Sequence, residues 1–408
     1  MNKSSNTRHA LIIGGGIAGP VAAMFLQKAG ISSVVYEARP DTLATGGGLQ
    51  IAPNGMHVLK AIGVDKEVAK AGWPASRLCF RNSYGRILST VVTGDPAVYG
   101  SPAITIDRSE LHCVLLLEAI ARDIPIRFNK RLVAIDDRPG SPVIAHFADG
   151  TSAEGDILIG ADGIWSTVRC LILPDAPDPV YTGLYGIGGY APLVNSAALA
   201  LGEKDTMTMT WGSSGFFGYG QCRHARSNAM LWWSNQASET PPSREELKSD
   251  SSPQAQARLR RELLALHKDW HDPIRSLIES TEEVMRTAIY EMPSLPKWHN
   301  GRSVLIGDAA HGMATSAGQG ASQALEDAML LARLLRDEPV ALHAAFPRFE
   351  QQRRPRVEKI SAIARRNSDR KKTLGPIAMR VRDFFIAHVM PAIARRSWGA
   401  MYAYKLDW

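Results

Sequence analysis

One stretch of this chain, residues 10–37, limits the possible folds more than any other: it reads ALIIGGGIAGPVAAMFLQKAGISSVVYE. A short apolar run predicts a buried strand, and it leads directly into Gly14, Gly16 and Gly19, which match the pattern G-x-G-x-x-G. A helical pattern and a second apolar run follow, and that run ends at Glu37. This order predicts a strand–helix–strand unit with parallel strands.

The glycines and the acid of this unit have separate physical roles. Gly14 permits the tight turn from strand to helix, Gly16 lets a pyrophosphate approach the backbone, and Gly19 lets the helix pack closely on the strand. The N–H groups at the start of the helix favour phosphate oxygens. A carboxylate about 20 residues further on, at Glu37, can accept hydrogen bonds from ribose hydroxyls and would repel a 2′-phosphate. The stretch therefore predicts the adenosine site of FAD or NAD rather than of NADP.

Two later segments repeat the pattern of an apolar strand that ends in small residues. Residues 156–159 lead into the sequence GADG at 160–163, after which Ser166 is placed to cap a helix carrying Arg169. An apolar run at 303–306 precedes Gly-Asp, and the sequence GQG at 318–320 opens a further helical pattern. Between these segments, the chain from Tyr181 to Asn235 reads as β-rich with many aromatic side chains.

The composition sets broad limits on the class of protein. At 408 residues, with 45% hydrophobic and 21% charged residues, the chain is long enough for two globular domains. No apolar run approaches the roughly 20 residues that span a bilayer, and the polar first residues carry no secretory signal. The four cysteines are scattered without metal-binding spacing, which is typical of reduced thiols. We expect a cytoplasmic protein without a transmembrane segment or a metal site.

The formal net charge is +7, and many of the basic residues cluster near the C-terminus. We interpret this cluster as a solvated helix face. Contact with an anionic surface or nucleic acid is the alternative, but no nucleic-acid fold signature accompanies the cluster. Its members are Arg353, Arg354, Arg356, Lys359, Arg365, Arg366, Arg370, Lys371 and Lys372.

Taken together, the three glycine-containing segments resemble the single-component flavoprotein monooxygenases, the family of p-hydroxybenzoate and salicylate hydroxylases with tetracycline-inactivating relatives. The segments are residues 14–19 with Glu37, residues 160–169 and residues 307–320. The resemblance implies an α/β fold: an FAD-binding Rossmann-like βαβ domain with an inserted β-sheet substrate domain and C-terminal helices. One departure is that Gly312 and Thr315 stand where the family commonly has prolines, which affects the loop beside the flavin.

The implied organisation alternates between the two domains along the chain. We expect the FAD-binding domain in residues 1–72, 101–180 and 286–345, the substrate domain in residues 73–100 and 181–285, and C-terminal helices in residues 346–408. These last helices are expected to pack across both domains.

The resemblance also implies cofactor-binding residues position by position. Gly14, Gly16 and Gly19 would hold the FAD pyrophosphate. Glu37 would bind the adenosine ribose, and Asp308 would bind the ribityl chain or the pyrophosphate. The full expected set is Gly14, Gly16, Ile17, Ala18, Gly19, Glu37, Ala38, Arg39, Gly48, Arg108, Asp162, Gly163, Asp308, Gly318, Gln319, Gly320 and Ala321.

Three further expectations concern the flavin itself. Arg39 and Arg108 would lie along the cofactor, and Asp162 would lie near both FAD and NAD(P)H. Backbone N–H groups at 318–320 would face the pyrimidine edge of the flavin. A helix N-terminus there would stabilise the negative charge of the reduced ring.

Candidates for substrate contact come from two parts of the sequence. Gln50 stands where the resemblance places a residue towards the flavin ring. Phe217 and Tyr219 alternate on a predicted strand and therefore share one face, and Trp233 is a further candidate. Core packing is the alternative for these aromatic side chains. His311 is interpreted as a packed or hydrogen-bonding residue rather than a catalytic base.

The resemblance implies a monooxygenase in which FAD carries the chemistry and no side chain acts as a nucleophile. NAD(P)H would reduce FAD, O₂ would form a flavin C4a-hydroperoxide, and an aromatic, heteroaromatic or polyketide small molecule would be hydroxylated. The residues agree, since the sequence has neither G-x-S-x-G nor a His/Glu metal-binding spacing. We expect a monomer or homodimer that binds no nucleic acid.

Two alternatives stay open on the sequence. The enzyme belongs either to the hydroxylating branch of the family or to its epoxidising and antibiotic-inactivating branches. In a different class, the chain is a redox-sensing flavoprotein that binds partners through its basic C-terminal helices. Oxidation of NAD(P)H that is stimulated by substrate separates an enzyme from a sensor.

Overall fold

The computed structural model describes residues 8–40, 46–193, 204–225, 227–338, 342–369 and 374–408. Its strands are β1 (His9–Ile13), β2 (Ser32–Tyr36), β3 (Gly48–Ile51), β4 (Trp73–Pro74), β5 (Arg77–Asn82), β6 (Ile87–Val92), β7 (Ile104–Asp107), β8 (Ile126–Arg127), β9 (Leu132–Asp136), β10 (Val143–Phe147), β11 (Ser152–Gly155), β12 (Ile157–Gly160), β13 (Val180–Pro192), β14 (Thr206–Trp211), β15 (Phe216–His224), β16 (Ser227–Ala237), β17 (Val284–Glu291), β18 (His299–Asn300) and β19 (Ser303–Leu305). Its helices are α1 (Ala18–Lys28), α2 (Pro53–Ala61), α3 (Asp65–Ala71), α4 (Pro96–Tyr99), α5 (Arg108–Ala121), α6 (Thr167–Ile172), α7 (Arg244–Ser249), α8 (Pro253–Leu266), α9 (Ile274–Ser280), α10 (Asp308–His311), α11 (Gly320–Asp337), α12 (Ala345–Asp369), α13 (Pro376–His388), α14 (Met390–Ile393) and α15 (Gly399–Tyr402).

A six-stranded sheet with the order β18-β19-β12-β1-β2-β8 carries the predicted strand–helix–strand unit. Strand β1 pairs in parallel with both β2 and β12, and β12 pairs in parallel with β19. Every residue of β12 is buried, as is all of β1 after His9, which agrees with the apolar runs in the sequence. Because parallel strands end at one edge, the three glycine-containing segments meet at the carboxyl edge of this sheet.

A second sheet of seven strands has the order β17-β13-β16-β15-β14-β5-β6. Its neighbours pair antiparallel, except for β14 and β5, which pair in parallel. One face packs against α8 and α9 in an apolar core that includes Phe217, Trp232 and Leu263. The other face bounds the cavity described below.

The strands that form the seven-stranded sheet can be compared with the expected domain boundaries. The seven-stranded sheet takes strands from 77–92, 180–237 and 284–291. The expected boundary between residues 285 and 286 lies inside β17, so sheet membership places this exchange after Glu291 instead. With that change, we propose the six-segment organisation as the domain division.

Side-chain hydroxyls cap the starts of two helices. Helix α8 begins at Pro253 and ends at Leu266. It begins there because the Ser252 hydroxyl caps it by accepting from the backbone N–H of Ala255. The predicted cap of α6 is confirmed, since Ser166 accepts from the backbone N–H of Arg169 at 2.9 Å. The turn at 149–150 joins β10 to β11, which pair antiparallel.

The C-terminal basic cluster is not a solvated face throughout. Arg353 is fully buried, and its guanidinium contacts Glu326 Oε2 at 2.5 Å and Asp327 Oδ1 at 2.6 Å. Arg356 also pairs with Glu326, at 2.8 Å. Lys359 and Arg366 are exposed as predicted, whereas residues 370–372 lie outside the described residues. Within the described ranges, none of the helices combines the length and the apolar character that a membrane crossing requires.

Candidate functional site

A cavity of about 2120 Å³ is lined by residues of both large sheets and of the C-terminal helices. Sites for a single small ligand typically measure roughly 300–1,000 Å³. The cavity therefore has room for a dinucleotide and a second small molecule together. One end is formed by the glycine-containing segments at the edge of the six-stranded sheet, which we call the cradle (residues 13–18, 36–39, 161–163, 308 and 318–321).

The glycines of the first segment differ in what surrounds them. Gly14 has φ +109°, and a β-carbon there would lie 2.4 Å from the carbonyl oxygen of Ala161. A β-carbon at Gly19 would lie 1.9 Å from the carbonyl oxygen of Gly14, so α1 can approach β1 only without a side chain. Around Gly16, in contrast, no heavy atom of the described residues would lie within 4 Å of such a carbon. Two glycines are thus required by the fold, and Gly16 faces open space in the cavity.

Glu37 holds the glycine loop as well as facing the cavity. Its carboxylate accepts hydrogen bonds from the backbone N–H of Gly15 at 2.7 Å and of Arg39 at 2.9 Å. The imidazole of His112 bonds the carbonyl oxygen of Gly15 at 2.7 Å from the other side. Ala38 and Arg39 line the same part of the cavity. The loop is therefore held in shape by side chains from β2's end and from α5.

Asp162 lines the cavity, but both of its carboxylate oxygens are engaged within the protein. The Ser166 hydroxyl donates to one at 2.5 Å, and the backbone N–H of Val168 donates to the other at 3.0 Å. Burial raises the pKa of Asp162 above its usual range, against the effect of these bonds. Buried Arg169 donates to the carbonyl oxygens of Ala309 and Ile164. This segment is a rigid edge of the cradle, and Gly163 is its cavity-facing glycine.

The Gly-Asp turn after β19 is held by a buried ionic network. Gly307 has φ +60°, and its N–H donates to Asp327 Oδ2 at 2.8 Å. His311 Nε2 donates to the same oxygen at 2.6 Å, and Arg353 donates to Oδ1. Burial acts to raise the pKa of Asp327, but His311 and Arg353 outweigh it and lower the pKa. The network orients the turn that presents Asp308 to the cavity, and His311 is the hydrogen-bonding residue that was expected.

At the start of α11, polar groups face the cavity without protein partners. No side chain caps this helix, and residues 318–321 all line the cavity. The side-chain nitrogen of Gln319 is buried without a partner, while its oxygen accepts from Asn54 at 3.0 Å. The side-chain nitrogen of Gln50, on β3, is likewise buried and unpartnered. Unpaired buried donors of this kind favour a ligand that supplies acceptors.

These features fit FAD at the cradle. The start of α1 is also uncapped by any side chain, and Gly16 leaves space where a pyrophosphate would lie. Arg108 packs beside Gly46, and Gly48 lines the cavity next to it. Apart from Gly19, which packs behind the loop, the expected cofactor residues all line this one cavity.

The other end of the cavity is formed by one face of the seven-stranded sheet, which we call the sheet wall (Leu78, Phe80, Met207, Met209, Trp211, Phe216, Leu231 and Trp233). Trp233 was expected here, but the expectation for Phe217 and Tyr219 is corrected. Both point to the opposite face, where Phe217 stacks on Trp232 at 5.2 Å between ring centroids. Successive residues of a strand alternate between faces, so the residue that faces the cavity is Phe216.

The comparisons with known proteins agree with this geometry. A family model described as "FAD binding domain" matches residues 7–364. The chain belongs to this FAD-binding family. One relative, the aurachin C monooxygenase/isomerase of Stigmatella aurantiaca, is 34% identical over 83% of each chain. Another, the 6-hydroxynicotinate 3-monooxygenase of Pseudomonas fluorescens, is 30% identical over 89% of this chain and 92% of its own.

A solved structure shows the same fold. HpxO of Klebsiella pneumoniae, complexed with FAD and uric acid, aligns with a TM-score of 0.81 at 24% identity, covering 97% of this chain and 96% of its own. The relatives are aromatic monooxygenases, and the family is enzymatic. The chain is thus an FAD-dependent monooxygenase.

The sequence motifs did not identify some of the residues that shape the monooxygenase site. His112 lies four residues after Arg108 on α5, and this spacing places both on one helix face. Met390, Trp398 and Tyr402 line the cavity from the C-terminal helices. No motif marks these three residues, because their place depends on how α13 to α15 pack over the sheet wall.

Proposed function

We propose that this monooxygenase uses NAD(P)H and O₂ to hydroxylate an aromatic, heteroaromatic or polyketide small molecule. The proposal rests on one observation, that a single cavity joins the cradle to an aromatic sheet wall. FAD, when bound, supplies the redox chemistry with NAD(P)H and O₂. One oxygen atom of O₂ is inserted into a C–H bond of the substrate, and the other leaves as water. The hydride of NAD(P)H supplies two electrons and one proton of that water, and solvent supplies the second proton. The names of the relatives support this reaction class.

The residues of the chain would bind, orient and exclude water. Backbone N–H groups at residues 318–320, at the start of α11, are suited to stabilise negative charge on the flavin edge. Gln50 lies beside them, since its side-chain oxygen would be 4.0 Å from a β-carbon at Gly318. Tyr402 and Trp398 limit access of water from the side of the C-terminal helices. Burial raises the pKa of Tyr402, so its phenol stays neutral and does not act as a base at physiological pH.

The alternative of a partner-binding sensor is not favoured. Arg353 and Arg356, which were candidates for partner contact, are engaged by Glu326 and Asp327 inside the protein. Glu291 also pairs with Arg365 at 2.7 Å. All four cysteines are free, which supports the proposed cytoplasmic location. A monomer or homodimer remains our proposal for the assembly.

The test uses the purified FAD-loaded protein. Oxidation of NADH and NADPH is followed with and without a panel of phenols, pyridines, quinolones and polyketides, and products are analysed after reaction in isotope-labelled O₂. We expect at least one class to stimulate oxidation and to gain one labelled oxygen atom. Stimulation by no aromatic compound, together with retained FAD, would contradict the proposal and return the sensor to consideration.

A further inference from the structure

We propose that the substrate is an uncharged, largely apolar aromatic compound with a hydrogen-bond acceptor, rather than an aromatic carboxylate. This inference rests on the proposed function and names the substrate class of the same site. It comes from three properties of the sheet wall and of the helices that face it: their apolar surface, their lack of an available cation, and two unpaired donors.

The apolar surface is continuous across several strands. On β14, Met207 and Met209 alternate with residues of the other face, and they pair with Leu78 and Phe80 of β5. Aromatic rings extend this surface: Trp211 lies 5.1 Å from Phe216 between ring centroids. Ile386, Met390 and Trp398 face the wall from the C-terminal helices. Burial of apolar ligand surface against these side chains favours binding.

A glycine of β15 leaves room for an indole ring on this surface. Gly218 lies on the same face of the strand as Phe216, because it stands two residues after it. A β-carbon at Gly218 would lie 2.5 Å from the ring of Trp233, so the indole lies flat over this position. The wall therefore presents a broad planar apolar surface, which suits a flat ring system.

The cations near this end of the cavity are already paired. Arg382 donates to the carbonyl oxygen of Gly212 at 3.1 Å and to Asp383 at 3.0 Å. Arg286 makes a two-bonded contact with Asp250, at 2.9 and 3.0 Å. In the described part of the chain, the other cations lining the cavity are Arg39, Arg108, Lys130 and Arg131. Arg39 and the segment 130–131 lie beside Glu37, and Arg108 packs beside Gly46, where we expect it to lie along the cofactor. A carboxylate buried against the wall would lack a counter-charge, which is strongly unfavourable.

Two donors near the wall have no acceptor among the described residues. The indole N–H of Trp211 and the side-chain nitrogen of Gln50 are both buried and unpartnered, and both residues line the cavity. An indole nitrogen can only donate. A carbonyl or phenol oxygen on the ligand would satisfy these groups, and a purely hydrocarbon ligand would leave them unpaired.

The test compares two ligands with the same ring on the FAD-loaded enzyme. One is a 4-quinolone with a heptyl chain at carbon 2, and the other is the 4-quinolone that carries a carboxylate at that carbon. We expect the heptyl compound to bind at least ~100-fold more tightly in equilibrium dialysis, since it gains apolar contacts and the carboxylate loses hydration. Equal or tighter binding of the carboxylate, or no binding of the heptyl compound, overturns the inference.

Variants of the wall make the test independent of the choice of ring. Met209→Arg supplies a cation, so it should improve binding of the carboxylate by at least ~10-fold, whereas Met209→Leu should not. Trp211→Phe should weaken binding of the heptyl quinolone by roughly fivefold to tenfold and leave binding of heptylnaphthalene, which has no acceptor, unchanged. If Met209→Arg fails to favour the carboxylate, or if Trp211→Phe weakens both heptyl compounds equally, the inference is wrong.

Measurements of ligand binding and of turnover distinguish a failure of this inference from a failure of the proposed function. A heptyl quinolone that binds without stimulating NAD(P)H oxidation supports the apolar site and counts against the monooxygenase reaction on that ring. A carboxylate that is hydroxylated and binds more tightly leaves the reaction intact and overturns the substrate class.

Discussion

The cradle and the sheet wall are the two ends of one cavity, but they are built from different parts of the polypeptide. The cradle consists mainly of backbone at strand ends and helix starts, and its glycines exclude side chains. The wall consists of side chains that project from alternate positions of β5, β14, β15 and β16. A site made of backbone is marked by local sequence, whereas a site made of alternating side chains depends on which face of the sheet turns inward.

The difference also predicts how each end responds to substitution. An added methyl group collides with the backbone at Gly14 in the cradle and at Gly19 behind it, but not at Gly16. In the wall, a changed side chain alters the shape or polarity of a cavity that already has space. We therefore expect substitutions at Gly14 and Gly19 to act on folding and FAD together, a substitution at Gly16 to act on FAD, and substitutions in the wall to act on substrate.

The largest expected effect comes from two glycines of the first glycine-containing segment, residues 14–19. Gly19→Ala should abolish both folding and FAD content, because its methyl group would lie 1.9 Å from a backbone oxygen. Gly16→Ala should leave the apoprotein folded but lower its affinity for FAD roughly 10- to 100-fold, because the methyl group occupies cavity space. The ratio of flavin absorbance to protein and a thermal melt of the apoprotein distinguish the two.

Gly375→Ala is the matched control, since no heavy atom of the described residues lies within 4 Å of the added carbon and the site is far from the cradle in sequence. It should retain FAD. If Gly16→Ala unfolds the apoprotein as Gly19→Ala does, the proposed division of roles between the glycines fails.

The next largest effect concerns the ionic network behind the cradle. Arg353→Met should lower the free energy of unfolding by about 3–5 kcal/mol, because it leaves Glu326 and Asp327 buried with fewer counter-charges. Lys359→Met, on the exposed side of the same helix, should change it by no more than about 0.5 kcal/mol. Urea unfolding with FAD present measures both, and similar values for the two variants would contradict the buried network.

A smaller effect tests the dry core behind the sheet wall. His267 is buried there, and burial lowers its pKa from 6.5 to about 4. The unfolded state therefore takes up a proton as the pH falls below about 6.5, whereas the folded state does not until about pH 4. The contribution of the neutral imidazole to the free energy of unfolding is fully present above pH 6.5. It should fall by about 2 kcal/mol between pH 7 and pH 5.

The comparison is the difference in urea unfolding between these two pH values for the wild type and for His267→Gln. The variant lacks the titrating group, so the change in its free energy of unfolding between pH 7 and pH 5 should be smaller by about 2 kcal/mol. An identical difference in both proteins would mean that His267 is hydrated or already protonated in the folded state.

The smallest expected effect separates the two faces of β15. Phe217→Leu should cost about 1–2 kcal/mol of stability and leave ligand affinity unchanged, since Phe217 packs in the core behind the wall. Phe216→Leu should instead weaken binding of the substrate more than it affects unfolding. Dialysis of an aromatic ligand and urea unfolding of both variants provide the measurement, and the reverse pattern would invert the assignment of faces.

Most of the cradle could be predicted because its signals are local. The strand, the glycines, the helix and Glu37 follow one another within 28 residues, 10–37. The later segments at 160–163 and 307–308 have the same form, and parallel pairing brings them to the same edge. What local sequence did not reveal is the support behind these turns, such as Asp327, which contacts Gly307 across 20 residues.

The sheet wall was predicted only in part, and the physical reason is the period of a strand. Aromatic residues occur on both faces of β15, at Phe216, Phe217 and Tyr219, so composition alone does not show which face is the core. Alternation showed correctly that Phe217 and Tyr219 share a face. It did not show that α8 and α9 cover that face.

The sequence by itself determined the family of the fold and predicted the place of the dinucleotide and the residues that would hold it, because strand ends and glycine turns restrict the backbone within a few residues. Only the tertiary structure decided which side of the second sheet bounds the cavity and which residues of the C-terminal helices face it. It also showed that Arg353 is buried rather than solvated. These features depend on contacts between segments that are distant in the chain, and no local pattern encodes such contacts.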